Sequence, residues 1–277
     1  MTNILEVSNL SVVDKDKEKL LDDISFSIEK GSSLGIIGES GSGKSLLVKT
    51  SLGFLPKGLK ASYEKISLFG KDVYDISRNK SKKLIGENVG YIAQNTVEYL
   101  HPLIKIQDQI SDGFIDHKLG NKKEAREKAL DLLELVGIDD PDYIMSLYPN
   151  ELSGGLKQRV NIATALMVDP LLFIADEPTT ALDPKIQYQV MELLRKNHER
   201  TKNSMVIISH DLSLIKNYCE NVLVIYNGVV QEKGKVENIF NNPKSDYAKA
   251  LLDVNVKFDQ DKTKPLKDIR GYLKTEV

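Results

Sequence analysis

The octapeptide Gly38-Glu39-Ser40-Gly41-Ser42-Gly43-Lys44-Ser45 follows the apolar run Leu34-Gly35-Ile36-Ile37 and leads into Leu46-Leu47-Val48. That order predicts strand, glycine loop, helix, an arrangement that wraps a polyphosphate. Glycines let the backbone curl so that successive N–H groups point inward at phosphate oxygens. A helix starting near Lys44 aims its positive end at the same place. Lys44 would supply a point charge to the β- and γ-phosphates. The Ser45 hydroxyl would be a magnesium ligand, because Mg²⁺ prefers hard oxygens. Gly38, Glu39, Ser40, Gly41, Ser42, Gly43, Lys44 and Ser45 are therefore the candidate nucleotide-binding residues. The competing reading is a flexible Gly/Ser turn that happens to precede a lysine. The buried-strand pattern before the loop and the apolar helix after it argue against that.

The rest of the chain is compatible with a soluble α/β protein. Its 277 residues allow one large domain or a core with an inserted subdomain. A formal net charge of -2 leaves no basic footprint, so nucleic acid is not expected as a partner. The single cysteine, Cys219, rules out an internal disulfide and argues against Cys-ligated clusters. No basic segment followed by an apolar stretch opens the chain, so no signal peptide is expected. No apolar run approaches the ~20 residues that span a bilayer, so any membrane work would fall to other chains.

Taken in order, Ile4 to Val12 reads as a strand, Asp14 to Lys19 as a charged turn, and Ile24 to Ile28 as a half-buried strand of strict alternation. Leu46 to Leu55 reads as a helix ended by Pro56. Lys65 to Phe69 and Val89 to Ala93 read as strands, with a solvated lysine-rich helix face from Arg78 to Lys83 between them. From Thr96 to Met167 the pattern is helical. Its clearest element runs from Lys122 to Val136, with Asn121 and Glu124 as a capping box and Gly137 at the stop. Leu171 to Ala175 and Met205 to Ser209 are continuous apolar runs, as in parallel strands buried on both faces. Ile186 to Glu199 is a helix between them. Asn227-Gly228 predicts a hairpin between Val222–Tyr226 and Val229–Gln231.

Further elements carry chemistry. Asp176-Glu177 ends the strand Leu171 to Ala175, at the strand edge where ligands bind in open α/β sheets. Asp176 would hold magnesium, directly or through water, and Glu177 would orient and polarise the attacking water. Leu152-Ser153-Gly154-Gly155 opens a helix, which makes it either a second anion site or only a helix cap. His210 and Gln94 each lie just past a strand, and a satisfied strand-end side chain is the plain alternative for both. Together these elements turn a phosphate loop into the P-loop of a nucleotide triphosphatase.

The order P-loop, Gln94, Leu-Ser-Gly-Gly, Asp176-Glu177, Asp183, His210 resembles the ATP-binding-cassette ATPase family over nearly the whole chain up to Leu252. The resemblance implies ATP and Mg²⁺, with two subunits meeting head to tail. Ser153, Gly154 and Gly155 would contact the γ-phosphate bound on the partner. Gln94 would sense magnesium and couple to the membrane partner. Ala181-Leu182-Asp183 would touch the opposite subunit, and His210 would clamp the γ-phosphate near Glu177. Catalysis is thus assigned to Glu177 and His210, and the metal to Ser45, Gln94 and Asp176. The implied fold is an α/β P-loop core with a mainly parallel sheet, an N-terminal antiparallel β region and an inserted α-helical subdomain. The ATPase domain would cover 1–254 (core 1–95 and 168–254, helical subdomain 96–167), with a polar tail at 255–277. One feature departs from the family. No Phe, Tyr or Trp occurs between Met1 and Phe26, so the aromatic residue that usually stacks on adenine is absent and Val13 or Asp14 stands there.

Three stretches, Leu100 to Ile110, Ser146 to Glu151 and Asn242 to Leu252, resemble the peptide/nickel branch of cassette importers. That branch implies uptake of peptides, nickel or metal–chelator complexes. Its partners would be a second cassette, of a different chain, two transmembrane permease subunits and an extracytoplasmic solute-binding protein. The chain would then sit at the cytoplasmic face of the membrane. The tail from Asn255 to Val277 has no cysteine, so the iron–sulfur cluster of some oligopeptide-type subunits is expected to be absent. A soluble cassette in nucleic-acid repair or on the ribosome, and an exporter cassette, remain the rivals. The single P-loop and the absence of long coiled-coil or zinc insertions speak against the first, and the three importer-like stretches against the second.

Overall fold

The computed structural model describes residues 2–75, 78–94, 99–179 and 184–258, with backbone alone at 78–79 and 254–258. Asp183 with its neighbours Ala181 and Leu182, the expected helical start at Thr96, and the tail beyond Phe258 lie outside the described residues. Two compact units share the chain. One is Tyr74–Val206, and the other joins Thr2–Val73 to the segment from Ile207 onward.

The discontinuous unit begins with β1 (Asn3–Val13), antiparallel to β2 (Lys19–Glu29). Period-2 alternation buries Ile24, Phe26 and Ile28 and leaves Ser27 and Glu29 exposed. The strand starts at Lys19, earlier than the alternation alone predicts, because the register shifts between Leu10 and Val12 absorb the non-alternating Leu20-Leu21-Asp22-Asp23. Between the strands, Asp14 accepts from the N–H groups of Asp16 and Glu18, both at 2.9 Å, which closes the charged turn. β3 (Ser33–Ile37) is buried throughout and leads through the glycine loop into α1 (Lys44–Ser51). This helix stops before the expected Leu55. Gly53 N–H donates to Thr50 O and Phe54 N–H to Lys49 O, both at 2.9 Å, so a Schellman turn ends the helix ahead of Pro56. β4 (Lys60–Ser62), β5 (Lys65–Leu68) and β6 (Lys71–Asp72) complete an antiparallel sheet of order β2-β1-β5-β6, with β4 on β1.

In the continuous unit, α2 (Arg78–Asn88) feeds β7 (Val89–Ile92). A helical stretch follows with α3 (Ile106–Asp116), α4 (Lys122–Leu135), α5 (Pro141–Ser146) and α6 (Gly154–Leu166). The Asn121–Glu124 capping box forms as the sequence predicts, and Ala125, Ala129, Leu132 and Leu133 are the buried stripe of α4. That stripe packs on α3, α5 and α6. β8 (Leu172–Asp176) runs parallel to β7, and α7 (Pro184–Thr201) leads to β9 (Ser204–Ile208). Gly90 is required by a close approach: a Cβ there would lie 2.4 Å from the Ala165 carbonyl oxygen, so α6 brings its backbone onto β7.

Back in the discontinuous unit, α8 (Leu212–Tyr218), β10 (Asn221–Tyr226), β11 (Val229–Lys235), α9 (Val236–Asn241) and α10 (Asp246–Phe258) follow. β10 is parallel to β3 and antiparallel to β11. Asn227 and Gly228 both have positive φ (45° and 74°), as a type I′ hairpin requires. The architecture is α/β, with an N-terminal antiparallel sheet, the parallel pairs β3–β10 and β7–β8, and a helical segment between β7 and β8. Among the described residues no helix is long and apolar enough to cross a membrane.

Candidate functional site

The glycine loop is pressed against the end of β10. Gly38 has φ 155°, and a Cβ there would lie 2.1 Å from the Ile225 carbonyl oxygen, so only glycine fits. On its open side nothing lies within 4 Å of a Cβ placed on Gly41. Lys44 Nζ donates to the carbonyls of Gly38 (2.9 Å) and Glu39 (2.7 Å), which arches the loop over the ammonium. Gly43 is the N-cap of α1. No side chain caps this helix and no carboxylate lies in its first turn, so its positive end faces the loop unneutralised. Ser42 Oγ is buried without a hydrogen-bond partner among the described residues. A buried orphan hydroxyl costs about 1–3 kcal/mol, a cost that a phosphate oxygen would remove. Backbone bonds from outside hold the loop's far limb, with Gly228 N–H donating to Ser42 O (3.1 Å) and Asp22 N–H to Gly228 O (2.9 Å). The open Gly41, an inward lysine, an uncapped helix start and an orphan hydroxyl together fit a polyphosphate.

His210 belongs to the same unit. It is exposed between β9 and α8. Ser209 N–H donates to Ile36 O at 3.3 Å, and Asp211 N–H to Ser209 Oγ at 3.0 Å. Asp211 then caps α8 through Ser213 N–H at 2.8 Å. The backbone on both sides of the imidazole is thereby held.

The other unit carries the carboxylates. Because β7 and β8 are parallel, with Ile92 beside Ala175, Gln94 and Asp176-Glu177 leave the two strands at the same edge. Asp176 is 1% exposed and Glu177 9%, whereas Gln94 is open to solvent. Glu177 has φ 53°, a left-handed conformation costing a non-glycine residue about 1–2 kcal/mol; backbone strain of this kind clusters at functional sites. Tyr91 Oη donates to Asp176 Oδ2 at 3.1 Å. Burial first, and then the Asp176 charge, push the Tyr91 phenol far above its ordinary range, so it remains a donor.

Ser153 caps α6, its Oγ accepting from Leu156 N–H at 3.3 Å. The cap reading of this residue is therefore realised, while Ser153 and Gly154 stay exposed. Ser153 and Gly155 also line an open groove of about 480 Å³ with Asp139, Asp140 and Arg159. Buried Gln158, one turn further on, donates from Nε2 to the Pro178 carbonyl and so ties α6 to the chain just past Glu177. Tyr91 and Gln158 are not singled out by the sequence. Tyr91 offers a signal, a hydroxyl inside the apolar run Val89 to Ala93 that burial obliges to find a partner, whereas Gln158, between Lys157 and Arg159, offers none.

The donor chemistry suits magnesium. Among the described residues no three His, Cys, Asp or Glu side chains cluster as a self-sufficient metal site. Ser45, after the loop lysine, and Asp176, at the end of β8, are each a hard oxygen donor of the kind Mg²⁺ takes.

The family described as ABC transporter matches residues 21–180. The chain is 39% identical over 273 residues to the dipeptide transport ATP-binding protein DppD of Haemophilus influenzae, covering 98% of this chain and 82% of that protein. It is 40% identical to the oligopeptide transport ATP-binding protein AppD of Bacillus subtilis, covering 91% and 78%. Among solved structures, the dimeric ATP-binding cassette MJ0796 in a post-hydrolysis state, bound to ADP and Pi, superimposes with a TM-score of 0.73 at 26% identity, covering 84% of this chain and 98% of that one. With the phosphate loop and the strand-end carboxylates in place, these likenesses show that the chain belongs to the ABC transporter family, as an ATPase subunit.

Proposed function

We propose that ATP hydrolysis by this chain drives uptake of dipeptides or oligopeptides through separate membrane subunits. The observation that carries this is that relatives matching over nine-tenths of the chain are dipeptide and oligopeptide transport ATP-binding proteins. Nickel and metal–chelator complexes are the other solutes that the importer-like stretches admit.

In this reading the loop N–H groups and Lys44 hold the triphosphate, and Ser45, Asp176 and Gln94 would hold the magnesium that neutralises its charge. Glu177 orients and polarises the attacking water, and His210 steadies the γ-phosphate. Ser153, Gly154 and Gly155 complete the site of a second cassette subunit, and Asp183 touches that subunit. Large apolar side chains past Gln94 in the chain are exposed: Tyr99, Leu103, Ile104 and Tyr148, Leu103 to 78%. Exposed apolar side chains suit protein partners, and we assign these to two permease subunits at the cytoplasmic face of the membrane. An extracytoplasmic solute-binding protein acts through the assembled complex.

Purification of the tagged chain from its native membranes tests the reading. Recovery of permease subunits, a second cassette and a peptide-binding protein, with ATPase activity raised by peptide-loaded binding protein, is the expected result. Recovery with ribosomes or DNA instead would overturn it, and stimulation by nickel or a metal chelate but not by peptide would move the solute.

A further inference from the structure

The glycine loop is held from behind by a part of the chain far from it in sequence. Glu39 N–H donates to Tyr247 Oη at 3.1 Å, across 208 residues. Tyr247 lies in the first turn of α10 and is 2% exposed. Its ring stacks on Tyr226, with centroids 4.3 Å apart and planes 28° from parallel. Tyr226 ends β10, next to Ile225, whose carbonyl meets the loop at Gly38. The start of α10 is itself fastened to β11: the Glu232 carboxylate accepts from Lys244 N–H at 3.0 and 3.1 Å and from Ser245 N–H at 3.0 Å. Ser245 Oγ then accepts from Ala248 N–H at 3.1 Å. A line of contacts thus runs from Glu232 through the helix start and Tyr247 to the loop.

Packing alone would be met by the tyrosine ring. The hydroxyl does something further, because it accepts from the Glu39 N–H and so fixes that peptide of the loop. Burial pushes the Tyr247 phenol up to about 12, so it keeps its proton wherever the protein works. We propose that Tyr247 is a positioning residue for the phosphate-binding loop, so that the docking of α10 sets the loop's affinity for nucleotide. This rests on the reading of the loop as the ATP site.

The test uses the full chain. Tyr247→Phe removes the hydroxyl and keeps the ring. The expected results are faster hydrogen exchange at the Glu39 amide and about 3- to 10-fold weaker ATP binding, the range of one hydrogen bond. Turnover at saturating ATP should stay unchanged, which gives a KM effect without a kcat effect. Unchanged Glu39 exchange with unchanged affinity overturns the proposal, as does a kcat loss at constant KM. Glu232→Gln, which leaves Tyr247 in place and loosens the helix start, should shift both readouts in the same direction by less. Should Tyr247→Phe fail to fold, an unchanged Glu232→Gln protein overturns the proposal by itself. Lys44→Ala separates the two levels: full ATP affinity in that variant would overturn the reading of the loop, whatever Tyr247 does.

Discussion

The Tyr91 hydroxyl donates to the Asp176 carboxylate at 3.1 Å, which joins the strand before Gln94 to the acidic end of its neighbour. The register explains it. Tyr91 is abreast of Ile174, and Asp176, two residues on, falls on the same face of β8. If Asp176 holds magnesium, the phenol fixes the orientation of that carboxylate. Tyr91→Phe is expected to raise the Mg²⁺ concentration for half-maximal MgATP binding about 3- to 10-fold, the worth of one hydrogen bond. Metal-free ATP affinity should stay the same. A fluorescent-nucleotide titration against Mg²⁺ measures both, and an unchanged Mg²⁺ midpoint would show that Tyr91 only fills space.

Glu177 is the buried carboxylate in a left-handed backbone at the end of β8. In the proposed role Glu177 polarises the attacking water, and Glu177→Gln keeps the side chain's size but removes the charge that would do so. Steady-state hydrolysis should fall at least about 100-fold, the scale of general-base loss, while ATP-dependent association of cassettes persists. Size-exclusion chromatography with and without ATP, alongside phosphate release, reads both. Normal hydrolysis would remove Glu177 from its role.

Val13, at the end of β1, pairs with Lys19 and Lys60 in a region without an aromatic side chain upstream of Phe26. Base recognition should therefore be weak, with ATP and GTP bound within about 3-fold of one another, since a stacked base is worth about 1–3 kcal/mol and no aromatic residue precedes Phe26 to supply the usual stack. Val13→Tyr should tighten ATP binding about 5-fold or more. A Lys123→Tyr control on the exposed face of α4 should not, and equal effects of the two would refute the assignment.

Gly90→Ala places a Cβ 2.4 Å from a backbone oxygen of α6, where no side chain can rotate away. Separating α6 from β7 should cost about 1–3 kcal/mol, as overpacking does. A lower urea midpoint at unchanged slope is the expected signature. An unchanged midpoint would mean that α6 moves freely on the strand.

The alkaline limit of stability has a definite sign. Tyr247 ionises near 12 when folded and near its ordinary 10 when unfolded. Between those values the unfolded chain loses the proton first, so stability falls as pH rises through 10 and the fall levels off above 12. The wild-type and Tyr247→Phe proteins should converge in that window. Parallel stability curves would show that the phenol is not held by burial.

Local order in this chain is set by near neighbours, and it is legible. The Asn121–Glu124 box, the Asn227-Gly228 turn and the passage from β3 through the glycine loop into α1 stand where residue order alone predicts them. Each is decided within a few residues by capping chemistry, positive φ or apolar period. The length of α1 is less legible, because the turn at Gly53 competes with Pro56 and wins through two backbone bonds.

The sequence by itself determined the kind of chemistry: a glycine loop with Lys44 and Ser45, carboxylates at a strand end, a cap-forming Ser153. Only the tertiary structure decided which groups hold those residues in place. Tyr91 meets Asp176 across 85 residues, Gln158 meets Pro178 across 20, and Tyr247 meets Glu39 across 208. Buried polar groups must find partners, but composition and period do not say which. Strand register and helix packing select them, and those depend on the whole folded unit.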